Sequence, residues 1–212
     1  MISLLFQNPV AFIILVVVLL YSVIIHEISH GWVAYLFGDD TAKNEGRLSL
    51  NPVSHVDPLG AIAIFLVGFG WAKPVPVNYR NLKNFRVGLV MVALAGCVAN
   101  IIIASIAIIL LSFETVNSNV MFVMILGIVV RINILLAALN LIPMPPLDGS
   151  KILMGFLPRS GQRFVTLIEP YGFFILIFFL YMGVLEPVIE FTQNSIISII
   201  SIFLRGLNLN IG

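Results

Sequence analysis

In an apolar stretch near the start of the chain stands His26-Glu27-Ile28-Ser29-His30, and its spacing is that of a metal site. Imidazoles at i and i+4 lie on one face of a helix, a turn apart, where both reach a single ion. Glu27, beside them, can act as general base toward a metal-activated water. The plain alternative is a structural or interfacial helix that carries the pattern by chance. Against it, three ionisable groups within about one turn of an apolar helix are costly to bury, and such intramembrane groups mark function by default.

A catalytic zinc site usually takes three protein ligands and keeps its fourth position open. The sequence offers His55, Asp57, Asp148 and Glu169 as the third. Asp148 stands out because it closes Asn140-Leu-Ile-Pro143-Met-Pro145-Pro146-Leu-Asp148-Gly149 at the end of an apolar run. Prolines there break the helix and turn the chain so that a carboxylate can point back inward. An ordinary helix exit capped by a solvated Asp-Gly turn is the alternative.

The elements that must position these groups belong in a bilayer. With 212 residues, 60% of them hydrophobic and 10% charged, the chain has too little polar surface to coat a soluble globule. Its mean hydropathy of +1.10 agrees. Runs at 10–37, 87–113, 120–142 and 164–185 are long enough, or nearly so, for the roughly 20 residues of a membrane-crossing helix. A fifth, 188–204, carries Asn194, Ser195, Ser198 and Ser201 and reads as a short span or an interfacial helix. The apolar stretch 59–71 is shorter than a span and is bounded by Asp57-Pro58, Gly68, Gly70 and Pro74, so it reads as re-entrant. Around it, 47–50 and 75–77 have weak strand character, and short strands lining a cavity would fit. The expectation is an all-α polytopic membrane protein with four to six transmembrane helices and a short re-entrant or β-hairpin element after the first helix. Residues 1–212 form one domain in this reading, and the first segment lacks the marks of a cleaved signal peptide.

Charge gives orientation. Lys43, Arg47, Lys73, Arg80, Lys83 and Arg86 fall between the first two long runs, and Lys151, Arg159 and Arg163 between the third and fourth. Both loops are expected in the cytoplasm, with the N-terminus outside and the metal nearer the cytoplasmic face. A net charge of +1 without a basic stripe leaves no surface for a phosphate backbone, so nucleic acid is excluded as a partner. Cys97, the one cysteine, reads as a small core residue. Arg131, mid-run, is too far from either end to snorkel and is expected to face a polar interior or a carboxylate, with Glu169 a conceivable partner.

These residues resemble the site-2 protease family of intramembrane metalloproteases. His26 to His30 match its HExxH, and Asn140 to Gly149 match its NxxPxPxxDG, whose Asp is the family's third zinc ligand. Gly96-Cys97-Val98-Ala99-Asn100 occupies the place of a GxxxN element, with Cys97 where many members have proline. Arg47-Leu-Ser-Leu-Asn51-Pro52-Val-Ser-His55-Val-Asp57-Pro58-Leu-Gly60 resembles the segment after the first motif in short bacterial members. The resemblance implies packed transmembrane helices, Zn2+ held by His26, His30 and Asp148, and proteolysis of transmembrane substrates such as anti-sigma factors or other signalling precursors. It does not imply substrate selection by a PDZ or CBS module, since neither is present. Asn100 and Asn140 are expected near the site, where they could bond substrate backbone or a developing oxyanion, or simply join helices. His55 is expected to support the site or line the substrate path, or else to be an exposed loop residue. The expected function is regulated intramembrane proteolysis, with a metal or proton transporter using the same His/Glu/Asp cluster as the alternative.

Overall fold

A computed structural model describes residues 6–58, 60 and 72–206. Helix α1, Pro9–Leu36, begins where Asn8 caps the Ala11 amide at 3.0 Å and Pro9 supplies a preset φ. Helix α2, Phe85–Leu111, is capped by Asn84, and α3, Val120–Asn140, by Asn119, which accepts from the amides of Met121 and Phe122. Then come α4, Asp148–Phe156; α5, Arg159–Ile168; α6, Gly172–Tyr181; and α7, Glu186–Gly206.

Among the described residues five helices are long and apolar enough to cross a membrane: α1, α2, α3, the continuous Arg159–Tyr181 and α7. This is the all-α polytopic architecture expected. The fourth span starts earlier than its apolar run, because the amphipathic α5 leads into α6 through a 3-10 turn, Glu169–Tyr171, that accommodates Pro170. The fifth is a full 21-residue helix.

Helix α2 packs between α1 and α3, and α4 lies across α2. Small residues allow the close approach: Ala104, Ala137 and Ala138 are buried with Ile134 beneath Ile196, Ile200 and Leu204 of α7. Lipid supplies no hydrophobic drive between helices, so such packing and polar ties hold the bundle. One tie is the buried Asn133, which donates to the Ser22 hydroxyl at 2.9 Å and to its own helix at Val129.

The loop after α1 is ordered by Asp39. Gly38, at φ 102, ends the helix, and the fully buried Asp39 carboxylate accepts from the Thr41 hydroxyl, the Asn78 amide at 2.7 Å and the Asn81 side chain at 2.9 Å. Burial alone would raise the Asp39 pKa, but these donors together hold it below the usual carboxylate value. No strand forms among the described residues, so the strand character of 47–50 and 75–77 is not realised there. A single antiparallel bridge, Val56 to Ala72, joins the two sides of the segment between them. The re-entrant stretch itself, 59–71, lies outside the described residues apart from Gly60.

Candidate metal centre

Helix α1 carries His26 and His30 a turn apart, rings edge-on with centroids 4.6 Å apart. Space for the first ring comes from α2. A Cβ built on Gly96 would lie 2.5 Å from His26 Cε1 and Nε2, so glycine alone lets α2 pass this close. His30 is oriented from the same helix. Its Nδ1 lies 2.6 Å from the Val92 carbonyl, which can only accept, so Nδ1 carries the proton and the neutral ring's Nε2 is a bare lone pair.

Asp148 reaches these rings from 122 positions away in sequence. Helix α3 ends at Asn140, and Pro143, Pro145 and Pro146 turn the chain back through bonds from Met144 to Ile142 and from Leu147 to Met144. Asp148 is the first residue of α4, where the helix dipole favours an anion. Gly149 permits the tight fold, since a Cβ there would collide with the Ile142 carbonyl.

The result is a group of three donors, the two histidines buried and Asp148 half-buried. Asp148 Oδ2 is 3.0 Å from His26 Nε2 and 3.1 Å from His30 Nε2, and all ligand atoms lie within 4.8 Å of one another. With Nδ1 holding a proton, the neutral His30 ring's Nε2 and Asp148 Oδ2 are two acceptors face to face, which either a second proton on Nε2 or a metal ion bound by both reconciles. A two-nitrogen, one-oxygen donor set with a protonated outer ring nitrogen is what zinc takes in catalytic sites. The residues fit the metal.

Glu27 is half-buried beside this group, its Oε2 accepting the Val75 amide at 2.9 Å. Asn100 is fully buried on α2, one turn beyond Gly96, and neither of its polar atoms has a protein partner among the described residues. Asn140 instead bonds its own helix at the Leu136 carbonyl, 3.0 Å away. His55 is neither exposed nor in the donor group: it is fully buried, donating from Nε2 to the Ser49 carbonyl at 2.7 Å. Asp57 accepts the Gly60 amide, and Glu169 lies 4.0 Å from Lys151. Arg131 departs from expectation: it is exposed on the outer face of α3, opposite the buried Asn133 and Ala137, and not turned to a polar interior.

Val92, Gly96 and Val75 touch the site's side chains without being ligands, and of these only Gly96 stands out in the sequence, as part of the GxxxN element. Val92 acts through its backbone, which no residue type marks. Arg47 reads as one more cytoplasmic charge, yet it is buried.

Comparison with known proteins agrees with this geometry. The model of Peptidase family M50 matches residues 114–183, which include Asp148. YwhC of Bacillus subtilis, named as a zinc metalloprotease, is 40% identical over 204 residues, covering 91% of this chain and 93% of its own. Rip2 of Mycolicibacterium smegmatis, with a name of the same kind, is 27% identical over 78% of this chain and 66% of its own. The zinc metalloprotease MJ0392 of Methanocaldococcus jannaschii is 27% identical over 73% of this chain and 37% of its own. No solved structure matches. On the extent and identity of the match to YwhC, with the family model agreeing over its own stretch, the chain belongs to peptidase family M50, the site-2 proteases.

Proposed function

We propose that the protein is an intramembrane zinc metalloprotease that hydrolyses peptide bonds of transmembrane substrate proteins, with His26, His30 and Asp148 as metal ligands and Glu27 as proton acceptor. The carrying observation is the convergence of two buried histidines and a half-buried aspartate beside a glutamate on a membrane-crossing helix. Bound zinc supplies Lewis acidity for the attack of water on the scissile carbonyl.

The chain's own residues do the rest. Glu27 takes a proton from the attacking water and later delivers it to the leaving amine. The Val92 carbonyl keeps the His30 proton on Nδ1, so Nε2 stays available as a ligand. Asn100, buried with both amide atoms unmet among the described residues, is suited to bond a substrate backbone that unwinds beside it. Asn140 and His55 are already engaged by the Leu136 and Ser49 carbonyls, so they support the site through the elements they brace. Charge distribution favours cytoplasmic loops around Lys83 and Arg159, with the metal nearer that face. Transport finds no support among the relatives matched, which are named as metalloproteases.

The test is proteomic comparison of membranes holding the wild type and Glu27→Gln. A membrane precursor should accumulate in the variant alone, while purified Glu27→Gln retains stoichiometric zinc. Full processing of every membrane protein by Glu27→Gln would remove Glu27 from the mechanism.

A further inference from the structure

Glu27 is held by a single peptide unit of the segment that crosses α1. Its Oε2 accepts the Val75 amide at 2.9 Å, and the carbonyl of that same peptide belongs to Pro74. Arg47 binds the other end of the unit. Its Nη2 donates to the Pro74 carbonyl at 3.2 Å and to the neighbouring Lys73 carbonyl at 2.9 Å. The chain from guanidinium through one planar amide to carboxylate is therefore continuous, and planarity makes the two ends turn together. A donor on the carbonyl also polarises the amide and strengthens the bond that its N–H makes.

Two features show that this unit is built for one orientation. Pro74 and Pro76 flank Val75 and have no N–H, so the Val75 amide is the sole backbone donor of the three residues. Val75 is itself buried against α1 one turn beyond Glu27, where a Cβ on Gly31 would meet its Cγ1 at 2.8 Å and Leu48 Cδ2 at 2.6 Å. Arg47 is 7% exposed, although arginine is almost never buried without cause, and the bonds shown for its guanidinium go to these two carbonyls.

We infer that Arg47 is a positioning residue for the reaction, acting through the Pro74–Val75 peptide to hold the Glu27 carboxylate with Oε2 occupied and Oε1 left to receive the proton. This rests on the reading of Glu27 as proton acceptor. Without Arg47 the Lys73 and Pro74 carbonyls lose their donor, the peptide unit tilts, and Glu27 gains rotamers in which it misses the water. A misplacement of about 1 Å at a reacting group costs on the order of 100-fold in rate.

Hydrogen exchange reads this directly, because a fragment of residues 73–76 begins with a free amine and contains two prolines, leaving Val75 as its single informative amide. In zinc-loaded enzyme, Arg47→Ala should exchange at Val75 about 10- to 100-fold faster than wild type, the range expected for losing a charge-assisted hydrogen bond. Its kcat on the precursor that accumulates with Glu27→Gln should fall about 10- to 100-fold, while KM and zinc stoichiometry stay unchanged. Arg47→Lys keeps the charge and one donor bond but not the fork, so it should lie between the two on both readouts, and it carries the test if the alanine variant does not fold. Unchanged Val75 exchange in the substituted enzymes, or faster exchange with wild-type kcat, would overturn the inference. An active Glu27→Gln enzyme would instead overturn the proton-acceptor reading and leave the exchange result standing.

Discussion

Replacing Gly96 with alanine adds one methyl group at the most crowded point of the site. The new Cβ would stand 2.5 Å from His26 Cε1 and Nε2 and 2.7 Å from Cδ2, so ring and helix must separate by about 1 Å to restore ordinary contact. If the ring yields, Nε2 leaves the position that faces Asp148 Oδ2 at 3.0 Å. Zinc affinity should then fall about 10- to 100-fold, the range seen when a ligand's supporting contacts are disturbed, and turnover about 100-fold. If α2 yields instead, overpacking should lower stability by about 1–3 kcal/mol. Alanine has the higher helix propensity by up to about 1 kcal/mol, so neither loss can be ascribed to a weaker α2. Zinc affinity is measured by competition with a chelator in detergent, and stability by thermal unfolding of the same samples. A Gly96→Ala enzyme with wild-type zinc affinity and wild-type stability would refute the packing argument.

Three further outcomes are expected. Asp148→Ala should copurify with substoichiometric zinc and be inactive, whereas His55→Ala should keep its metal but unfold about 2–3 kcal/mol more easily, as measured by elemental analysis and thermal melts. Asp39 has a lowered folded-state pKa, so its contribution to stability is full above the ordinary carboxylate value near 4 and is lost as pH falls through the lower folded value; the melting difference between wild type and Asp39→Ala should therefore shrink at acid pH. Single cysteines at Lys83 and Arg159, in a Cys97→Ala background, should be protected from an impermeant reagent in intact cells, and one at Asn117 should label; the reverse pattern would invert the proposed topology.

Much of the architecture was legible because a bilayer enforces it. Backbone in hydrocarbon must satisfy its own hydrogen bonds, so long apolar runs such as 87–113 could hardly be anything but helices. The spacing of His26 and His30 and the prolines before Asp148 were equally local signals. What could not be read was pairing across sequence. Asp39 lies in Gly38-Asp39-Asp40-Thr41 and looks like solvated loop, yet its partners Asn78 and Asn81 are some forty residues away. His55 reads as a support for the site, a lining of the substrate path or an exposed loop residue, and its burial on the nearby Ser49 carbonyl rests on a backbone atom that no residue type marks. Arg131 was expected to be turned inward on energetic grounds, but the inward positions of α3 are held by Asn133, Ile134, Ala137 and Ala138, leaving it the outer face.

The span of 122 positions between His26 and Asp148 makes a shared ion a cross-link as well as a reagent. In a soluble chain, closing so long a loop would be a large part of folding itself, and stripping the metal would unravel the domain. Here α1, α2 and α3 are each fixed as helices by the bilayer, α2 also packs through non-ligand residues, Val92 with Ala34 of α1 and Ala104 with Ala137 and Ala138 of α3, and α4, which carries Asp148, rests on α2 as well. The ion therefore joins parts that are docked beforehand. Such a centre can be emptied and refilled without dismantling the bundle, so metal supply can set how much of the protein is active while its amount in the membrane stays constant.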